Sequence, residues 1–204
     1  MADAIAAFEK TDELNKFSSK FDYYLAGKTK LSVQELRGLE LFNDKGKCAE
    51  CHPSEAVRGT DGKIVPPLFT DFTYDNLGIP KSTNPLIADN PIDYGLGGRE
   101  DIKAKDPSGA ELGKHKVMTL RNIELTPPYG HNGFFATLEE IVNFYNTRDV
   151  KSWPAPEVAQ NVNTEELGNL GLTEQEEADI VAFLKTLTDG FGSALNELAL
   201  PPTP

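Results

Sequence analysis

The stretch Cys48-Ala49-Glu50-Cys51-His52 combines two thiols three positions apart with a directly adjoining imidazole. This Cys-x-x-Cys-His spacing is typical of covalent c-type haem attachment, in which both sulfurs form thioethers with the porphyrin and the histidine binds the iron. The chain has no other cysteine, so no thiol remains for a disulfide framework. We therefore expect one haem c, attached through Cys48 and Cys51, with His52 as the proximal iron ligand.

Two other uses of paired cysteines agree less well with this sequence. A structural zinc site needs four ligands, the chain has no second cysteine pair, and the neighbours Cys51 and His52 would struggle to face one ion. A thioredoxin-like dithiol needs a strand before the motif, whereas residues 39–42 read as the end of a helix and residues 43–46 as a loop. Haem attachment is the favoured interpretation.

Capping boxes, in which Ser or Thr is followed three residues later by Glu, predict three helix starts at Ser32, Thr137 and Thr173. The first helix should run from about residue 33 to residue 42 and lead into the haem motif. The third carries apolar residues at positions 180, 183, 184 and 187, a stripe that must face a core. A weaker helix is predicted over residues 4–14.

Residues 53–112 are rich in proline and glycine and show little sustained periodicity, which predicts long irregular loops with few short strands. Loops of that length usually serve a function or enclose a ligand. The predicted fold is therefore mainly α, a single cytochrome c-type haem domain over residues 1–204. Its last part, residues 191–204, contains three prolines and is expected to form an extended tail.

The net charge of -12 argues against a nucleic-acid partner, because phosphates would be repelled. The same charge favours docking with a basic redox protein, such as a basic cytochrome, although acidity can also serve solubility alone.

Covalent haem attachment takes place outside the cytoplasm, so a periplasmic or otherwise exported protein is expected. The first residues show neither a cationic start nor an uninterrupted apolar run, and we expect a processed or recloned chain. No apolar run approaches the roughly 20 residues of a membrane span.

The chain resembles the C-terminal haem domain of the bacterial diheme cytochrome c peroxidase and MauG family. The similarity runs from about residue 4 to residue 190. It includes the haem pentapeptide and several further segments in the same order: Leu36-Arg-Gly-Leu-Glu-Leu-Phe42, Asn76-Leu-Gly-Ile-Pro80, Gly95-Leu-Gly-Gly98, Lys116-Val-Met-Thr-Leu-Arg-Asn122, Leu125-Thr-Pro-Pro-Tyr129, Thr137-Leu-Glu-Glu140 and Ile180-Val-Ala-Phe-Leu-Lys-Thr-Leu187.

Family members usually carry two haems, and the N-terminal domain with its own Cys-x-x-Cys-His motif has no counterpart in these 204 residues. The resemblance implies the electron-transfer half of such a protein, with a separate second haem domain as one conceivable partner. Thr126 and Pro128 match positions whose backbone carbonyls help to bind calcium at the domain interface in diheme members. A calcium site shared with the second domain is implied.

The resemblance also implies the second iron ligand. In the peroxidases a methionine after the Thr-Leu-Glu-Glu helix start binds the iron, and in MauG-like members a tyrosine takes that place. The matching residue is Tyr145, which is therefore the favoured distal ligand, with a core tyrosine as the alternative interpretation. Met118 is the second candidate, because a thioether is the usual ligand of electron-carrying cytochromes c.

Other residues are expected around the haem edge. Arg121 and Asn122 are predicted to hold it, since a guanidinium can pair bidentately with a propionate; an arginine paired with a buried acid is the alternative. His131 matches a family histidine near the haem and is expected to cap a loop or bind a propionate. His115, between two lysines, is expected to face solvent. Trp153 is interpreted as a packing anchor, or else as an electron conductor.

Two functions follow from these expectations. The first is single-electron transfer through a six-coordinate haem that cannot bind peroxide. The second is a peroxide-reacting enzyme of the same family with an open distal position, in which His131 or Glu124 acts as the acid-base group and hydrogen peroxide is the substrate.

Overall fold

A computed structural model of the protein describes residues 1–11, 13–60 and 62–194. The helices within these residues are α1 (Ala2–Glu9), α2 (Lys20–Leu25), α3 (Val33–Asn43), α4 (Glu100–Lys103), α5 (Leu138–Thr147), α6 (Glu174–Lys185) and α7 (Phe191–Ala194). The described strands are two residues long each: β1 (Val57–Arg58), β2 (Ile64–Val65), β3 (Tyr74–Asp75) and β4 (His115–Lys116). β1 pairs with β2 and β3 with β4, both antiparallel.

The mainly α fold with few short strands is confirmed. The tail differs in part from its prediction, because residues 191–194 form a helical turn, and residues 195–204 lie outside the described residues.

The three predicted capping boxes at Ser32, Thr137 and Thr173 are confirmed. In each, the hydroxyl accepts the N–H of the glutamate three residues later, whose carboxylate accepts the N–H of the capping residue. These bonds satisfy backbone donors that the first helical turn leaves unpaired. The structure has a fourth capping box, in which Ser19 pairs with Asp22 at the start of α2. The Ser/Thr-to-Glu pattern does not predict it, because aspartate replaces the glutamate. The first helix ends at Glu9, short of its predicted limit.

Helices α3 and α6 pack against each other at very short range. Gly38 makes this possible, because a Cβ at that position would overlap the backbone carbonyl of Asp179 and touch Phe183. The side chain of Asp179 is 2% exposed and accepts hydrogen bonds from Nε and one terminal nitrogen of Arg37, at 2.8 and 3.1 Å. These hydrogen bonds, against the opposing effect of burial, lower the pKa of Asp179.

Four phenylalanines from separate parts of the chain form the centre of the core: Phe21, Phe42, Phe69 and Phe183. None is more than 2% exposed, and their rings meet mostly edge to face, with centroids 5.2 to 6.3 Å apart. Aromatic pairs favour such geometry, and a fully buried phenylalanine contributes about 1.5–3 kcal/mol through its burial. The core therefore fixes the end of α3, where the haem motif begins.

Among the described residues, no helix is long and apolar enough to cross a membrane.

Candidate haem site

The Cys-x-x-Cys-His motif forms a tight turn directly after α3. Gly46 is buried and has no room for a Cβ beside the Leu41 carbonyl, while Lys47 adopts a left-handed backbone conformation with φ 53°. A 3₁₀ turn over Cys48–Glu50 follows, and the His52 N–H donates to the Cys48 carbonyl at 2.9 Å. This turn brings both thiols and the imidazole to one side of the chain.

His52 is oriented through one of its two ring nitrogens. Its Nδ1 lies 2.7 Å from the backbone carbonyl of Phe69. A carbonyl can only accept, so the proton is on Nδ1 and Nε2 keeps its lone pair for a metal. Burial lowers the pKa of His52 below its usual value, and the ring is therefore neutral at pH 7. Metal-binding histidines commonly donate their other ring N–H to a backbone carbonyl in this way.

Both cysteine thiols are half-buried and remain protonated at neutral pH. Burial, with smaller contributions from nearby groups, raises the pKa of Cys48 and of Cys51 to about 12. A redox dithiol or a zinc thiolate site would instead hold at least one thiol in an electropositive setting that lowers its pKa. Cys51 faces the opposite environment, since the Glu166 carboxylate lies 3.8 Å from its sulfur.

A cavity of about 530 Å³ opens beside the motif, and a second cavity of about 140 Å³ adjoins it. Ligand pockets of roughly 300–1,000 Å³ are typical for cofactor-sized molecules. The two cavities share one set of mainly apolar wall residues around the motif: Cys51, His52, Leu77, Leu120, Ile123, Tyr129, Ile141 and Tyr145. These residues fit an apolar prosthetic group joined to the protein at Cys48, Cys51 and His52.

Tyr145 lies on α5 and lines both cavities together with His52. Its ring packs against Phe144 with centroids 6.0 Å apart. Within the described residues its hydroxyl has no hydrogen-bond partner. Every fully buried side-chain oxygen there has a partner, so the Tyr145 hydroxyl is not fully buried and is accessible from the cavity. Burial, followed by the thiols of Cys48 and Cys51, raises the pKa of Tyr145. The structure thus places the favoured distal candidate in the same cavity as the proximal one.

Met118, the second candidate for the distal position, lies at the rim of the larger cavity and is 61% exposed. An exposed thioether at the rim is in a poorer position to close the face opposite His52 than a half-buried side chain on the cavity wall. The geometry favours Tyr145 over Met118.

Arg121 and Asn122 do not line the cavity. The Arg121 guanidinium makes a bidentate pair with Asp22 at 2.9 and 3.0 Å, and its Nε donates to the Pro67 carbonyl at 2.9 Å. Asn122 is joined to Asp189 by two hydrogen bonds. The expectation that these residues hold the haem edge therefore needs correction: the arginine pairs with a buried acid, the alternative that the sequence left open.

His131 and His115 stand together at the wall of the larger cavity. Their rings stack with centroids 3.8 Å apart and planes inclined by 10°. Nε2 of His131 is 2.9 Å from a Glu157 carboxylate oxygen. The expectation that His115 faces solvent was wrong, because it is half-buried in this stack. The flanking lysines suggested an exposed position, but neighbouring side chains of a strand point to opposite sides, so His115 can line the cavity beside an exposed Lys116.

The remaining predicted residues lie at the periphery. Glu124 is exposed and accepts a hydrogen bond from Thr188 at 3.0 Å, outside the cavity wall. Thr126 and Pro128 are exposed at the cavity rim. The indole N–H of Trp153 donates to Thr147 at 3.1 Å and its ring packs edge-on against Phe144, a packing role.

Sequence reasoning missed an acidic group beside the motif. Ligand atoms of Cys51, Asp75 and Glu166 all lie within 4.8 Å of one another, and the Asn163 amide donates to both carboxylates. The three residues are more than twenty positions apart in pairs, so no local pattern announces them. Among the described residues no other such group of three was found, and this one does not include Thr126 or Pro128.

A helical fold in which a Cys-x-x-Cys-His turn opens on an apolar cavity of cofactor size defines the class of c-type haem proteins. No protein-family model matches the chain. The chain is 34% identical to the methylamine utilization protein MauG of Paracoccus denitrificans, covering 92% of this chain and 51% of that protein. It is also 34% identical to the cytochrome-c peroxidase IdrP1 of Denitromonas iodatirespirans, covering 91% and 48%.

Solved structures agree with these relatives. The diheme peroxidase BthA of Burkholderia thailandensis superposes with a TM-score of 0.72 and 32% identity, covering 92% of this chain and 50% of that one. The chain belongs to the diheme cytochrome c peroxidase and MauG family of haem oxidoreductases, and it spans about half the length of the relatives it matches. The diheme relatives imply haem c as the cofactor, and the single motif accounts for one.

Proposed function

We propose that this chain is a single-electron-transfer domain holding one haem c, the electron-transfer half of a cytochrome c peroxidase or MauG-type oxidoreductase. Cys48 and Cys51 would attach the haem, and His52 and Tyr145 would supply the two protein ligands of its iron. The observation that carries the proposal is the hydrogen bond from His52 Nδ1 to the Phe69 carbonyl, because it aims an unprotonated nitrogen at an apolar cavity that has a tyrosine hydroxyl in its wall.

A bound haem would supply a one-electron ferric/ferrous couple. The protein's part is to hold its ligands and to set the potential. Tyrosine as a hard anionic donor stabilises ferric iron and lowers the potential relative to a thioether. Because burial raises the pKa of Tyr145, its hydroxyl is protonated at neutral pH in the haem-free chain. If His52 and Tyr145 both bound the iron, peroxide would have no open position on it, and the domain would act as an electron carrier.

The acidic surface supports a basic redox protein as the partner. Opposite charges accelerate encounter and orient the two proteins, an effect that weakens as the salt concentration rises. Covalent haem attachment places the mature protein in the periplasm or another exported compartment. Calcium binding by the carbonyls of Thr126 and Pro128 remains part of the proposal, to be completed by groups outside this chain.

One observation favours the second function, a peroxide-reacting enzyme. His131 lines the cavity and is hydrogen-bonded to Glu157, the arrangement expected of an oriented acid-base group. Glu124 lacks such a position, since its carboxylate faces Thr188 outside the cavity wall. This function requires the iron to lose Tyr145 as a ligand, or never to bind it.

Maturation in a haem-loading bacterial host tests attachment. The intact mass should exceed that of the polypeptide by one haem, and the Cys48→Ser/Cys51→Ser double variant should lose this increment completely. Glu50→Gln, an exposed change within the same pentapeptide, is the matched control and should retain it. A matured protein with the bare polypeptide mass and no Soret absorbance would end the proposal.

Ferric optical and EPR spectra then separate the two functions. A low-spin six-coordinate signal that hydrogen peroxide does not change supports the carrier, and a high-spin signal that peroxide shifts supports the enzyme. Tyr145→Phe should alter the ferric spectrum. Tyr129→Phe, which removes a hydroxyl bonded to the Ile123 carbonyl in the same cavity wall, should leave it unchanged, as should Met118→Leu. An unchanged Tyr145→Phe spectrum contradicts tyrosine ligation.

A further inference from the structure

The stacked pair of His115 and His131 has nitrogen atoms that nothing in the described part of the chain uses. His131 spends Nε2 on Glu157, and its Nδ1 makes no hydrogen bond to a described residue. His115 makes none through either ring nitrogen, although its ring is half-buried against His131 and lines the larger cavity. Since both rings line the larger cavity, these nitrogens are available to a ligand that enters it.

Glu157 holds this pair in place. One carboxylate oxygen accepts from His131 and from the Asn132 amide, both at 2.9 Å, and the other accepts the Asp93 backbone N–H at 3.2 Å. These bonds, outweighing burial, lower the pKa of Glu157, so it stays ionised. The side chains of His131 and Glu157 are only 14% and 5% exposed. The pair is a built feature of the cavity wall and not two mobile surface rings.

Most of the other side-chain donors on the cavity wall already have a partner within the chain. Thr119 donates to the Leu68 carbonyl, Thr126 and Tyr129 donate to the Ile123 carbonyl, and both amide protons of Asn76 go to backbone carbonyls. Lys116 is exposed, donates to the Val117 carbonyl and lies over the Phe72 ring at 4.9 Å. Tyr145 is the proposed iron ligand.

Haem brings its own demand for donors into such a cavity. Its vinyl groups react with the cysteines, and its two carboxylates lie on another side of the ring, where they need hydrogen bonds or solvent. The smaller cavity includes Cys48, whereas the larger one extends past Cys51 to the two histidines. Arg121, the obvious sequence candidate for a carboxylate, is bound to Asp22.

We propose that His115 and His131, with Glu157 as a positioning residue, form a carboxylate-binding subsite for the propionates of the haem. This inference rests on the proposed function, since it assigns one end of the same ligand. When both ring nitrogens of His131 carry a proton, Nε2–H is donated to Glu157 and Nδ1–H is available to a propionate, while a neutral His115 offers one N–H. Burial and the neighbouring His131 lower the pKa of His115.

The test compares haem with haem dimethyl ester, which has the same ring without free carboxylates. Each is titrated into the full chain produced without haem maturation and kept reduced, and the Soret shift gives the two dissociation constants. The native chain should bind haem at least about tenfold more tightly than the ester, the ratio expected from hydrogen bonds to a charged group.

His115→Phe and His131→Phe keep a flat ring in the stack and remove its nitrogens. Each should reduce the preference for haem severalfold while leaving the affinity for the ester unchanged, and Glu157→Gln should act in the same direction to a smaller extent. An unchanged ester affinity also shows that the variant is folded. Arg121→Lys, the control, should keep the native preference.

Three results would overturn the subsite. The first is that both phenylalanine variants keep the preference for haem over its dimethyl ester, and the second is that Arg121→Lys loses it. The third is that the native chain binds both porphyrins equally. In each of these cases haem still binds, so the proposed function stands. If neither porphyrin gives a saturable Soret shift, the subsite fails, whereas the proposed function is decided separately by the mass and Soret absorbance of the matured protein.

Discussion

Two regions of the molecule differ in whether their polar side chains find hydrogen-bond partners within the chain. They are the helix pair α3 and α6 and the cavity wall formed by residues 115–145. Between the helices, Gly38 admits direct backbone contact, and the buried Asp179 carboxylate is fully paired with Arg37. Along the cavity, the Tyr145 hydroxyl, both ring nitrogens of His115 and Nδ1 of His131 have no hydrogen-bond partner within the described residues.

The difference separates the parts of the molecule that are complete without a ligand from the part that is not. The helix pair derives its stability from contacts within the chain, so sequence changes there should alter folding. The cavity wall has apolar surface and polar atoms that line the cavity without partners in the chain. Changes there should therefore alter ligand binding more than folding. The following variants test this division.

Arg121→Leu should have the largest effect, because it would leave the Asp22 carboxylate buried and unpaired. The two side chains are 10% and 9% exposed, and loss of one partner from a buried pair costs about 3–5 kcal/mol. Urea denaturation measures the free energy of unfolding. Arg99→Leu is the matched control, since its pair with Asp101 is 60% and 55% exposed and should contribute almost nothing.

The stability lost in Arg121→Leu should depend on pH. Hydrogen bonds from Arg121 and Ser19, although burial opposes them, lower the pKa of Asp22 from its ordinary value of 3.8. A lowered folded-state pKa contributes stability above the unfolded value and loses it as the pH falls through the folded value. The stability difference between the native chain and Arg121→Leu should be constant above about pH 5 and shrink below pH 3.8. A difference that grows in acid contradicts this.

Gly38→Val should destabilise the helix pair by about 2–3 kcal/mol, because its side chain must push α3 away from the Asp179 carbonyl. Glu40→Val places the same side chain on the exposed side of α3 and serves as the control, with a loss of only a few tenths of a kcal/mol. Equal losses would show that valine acts through helix propensity and not through the contact between α3 and α6.

Hydrogen exchange compares the two regions directly. Without haem, amides of residues 115–131 should exchange at least about tenfold faster than the buried amides of α3 and α6, because local opening there breaks few contacts within the chain. Loading with haem should narrow that gap. Equal exchange of both regions in the haem-free chain would mean that the cavity wall is as self-sufficient as the helices.

Trp153→Phe should have the smallest effect, a loss of about 1 kcal/mol from the hydrogen bond to Thr147 with the edge-on ring packing retained. Calorimetric unfolding of the native and variant chains gives the value. The reduction rate of the haem by a small-molecule donor should not change. A slower rate would mean that the indole conducts electrons, as the sequence also allowed.

Local patterns predicted the helices well and the cavity poorly. Ser32, Thr137 and Thr173 each carry their capping partner three residues away, so each helix start is encoded within four residues. Arg121 shows the limit of such reasoning. Its guanidinium can pair equally well with a haem propionate or with the carboxylate of an aspartate, and its partner Asp22 lies 99 residues earlier in the chain.

The sequence by itself contains the whole motif for the proposed attachment, since Cys48, Cys51 and His52 lie within five residues, and it determined the mainly helical class through capping and periodicity. Only the tertiary structure decided how the motif is served. It gave His52 the Phe69 carbonyl, set Tyr145 into the shared cavity and stacked His115 on His131. Covalent attachment is a short-range property of consecutive residues, whereas orientation and pairing depend on groups that only the folded core brings within bonding distance.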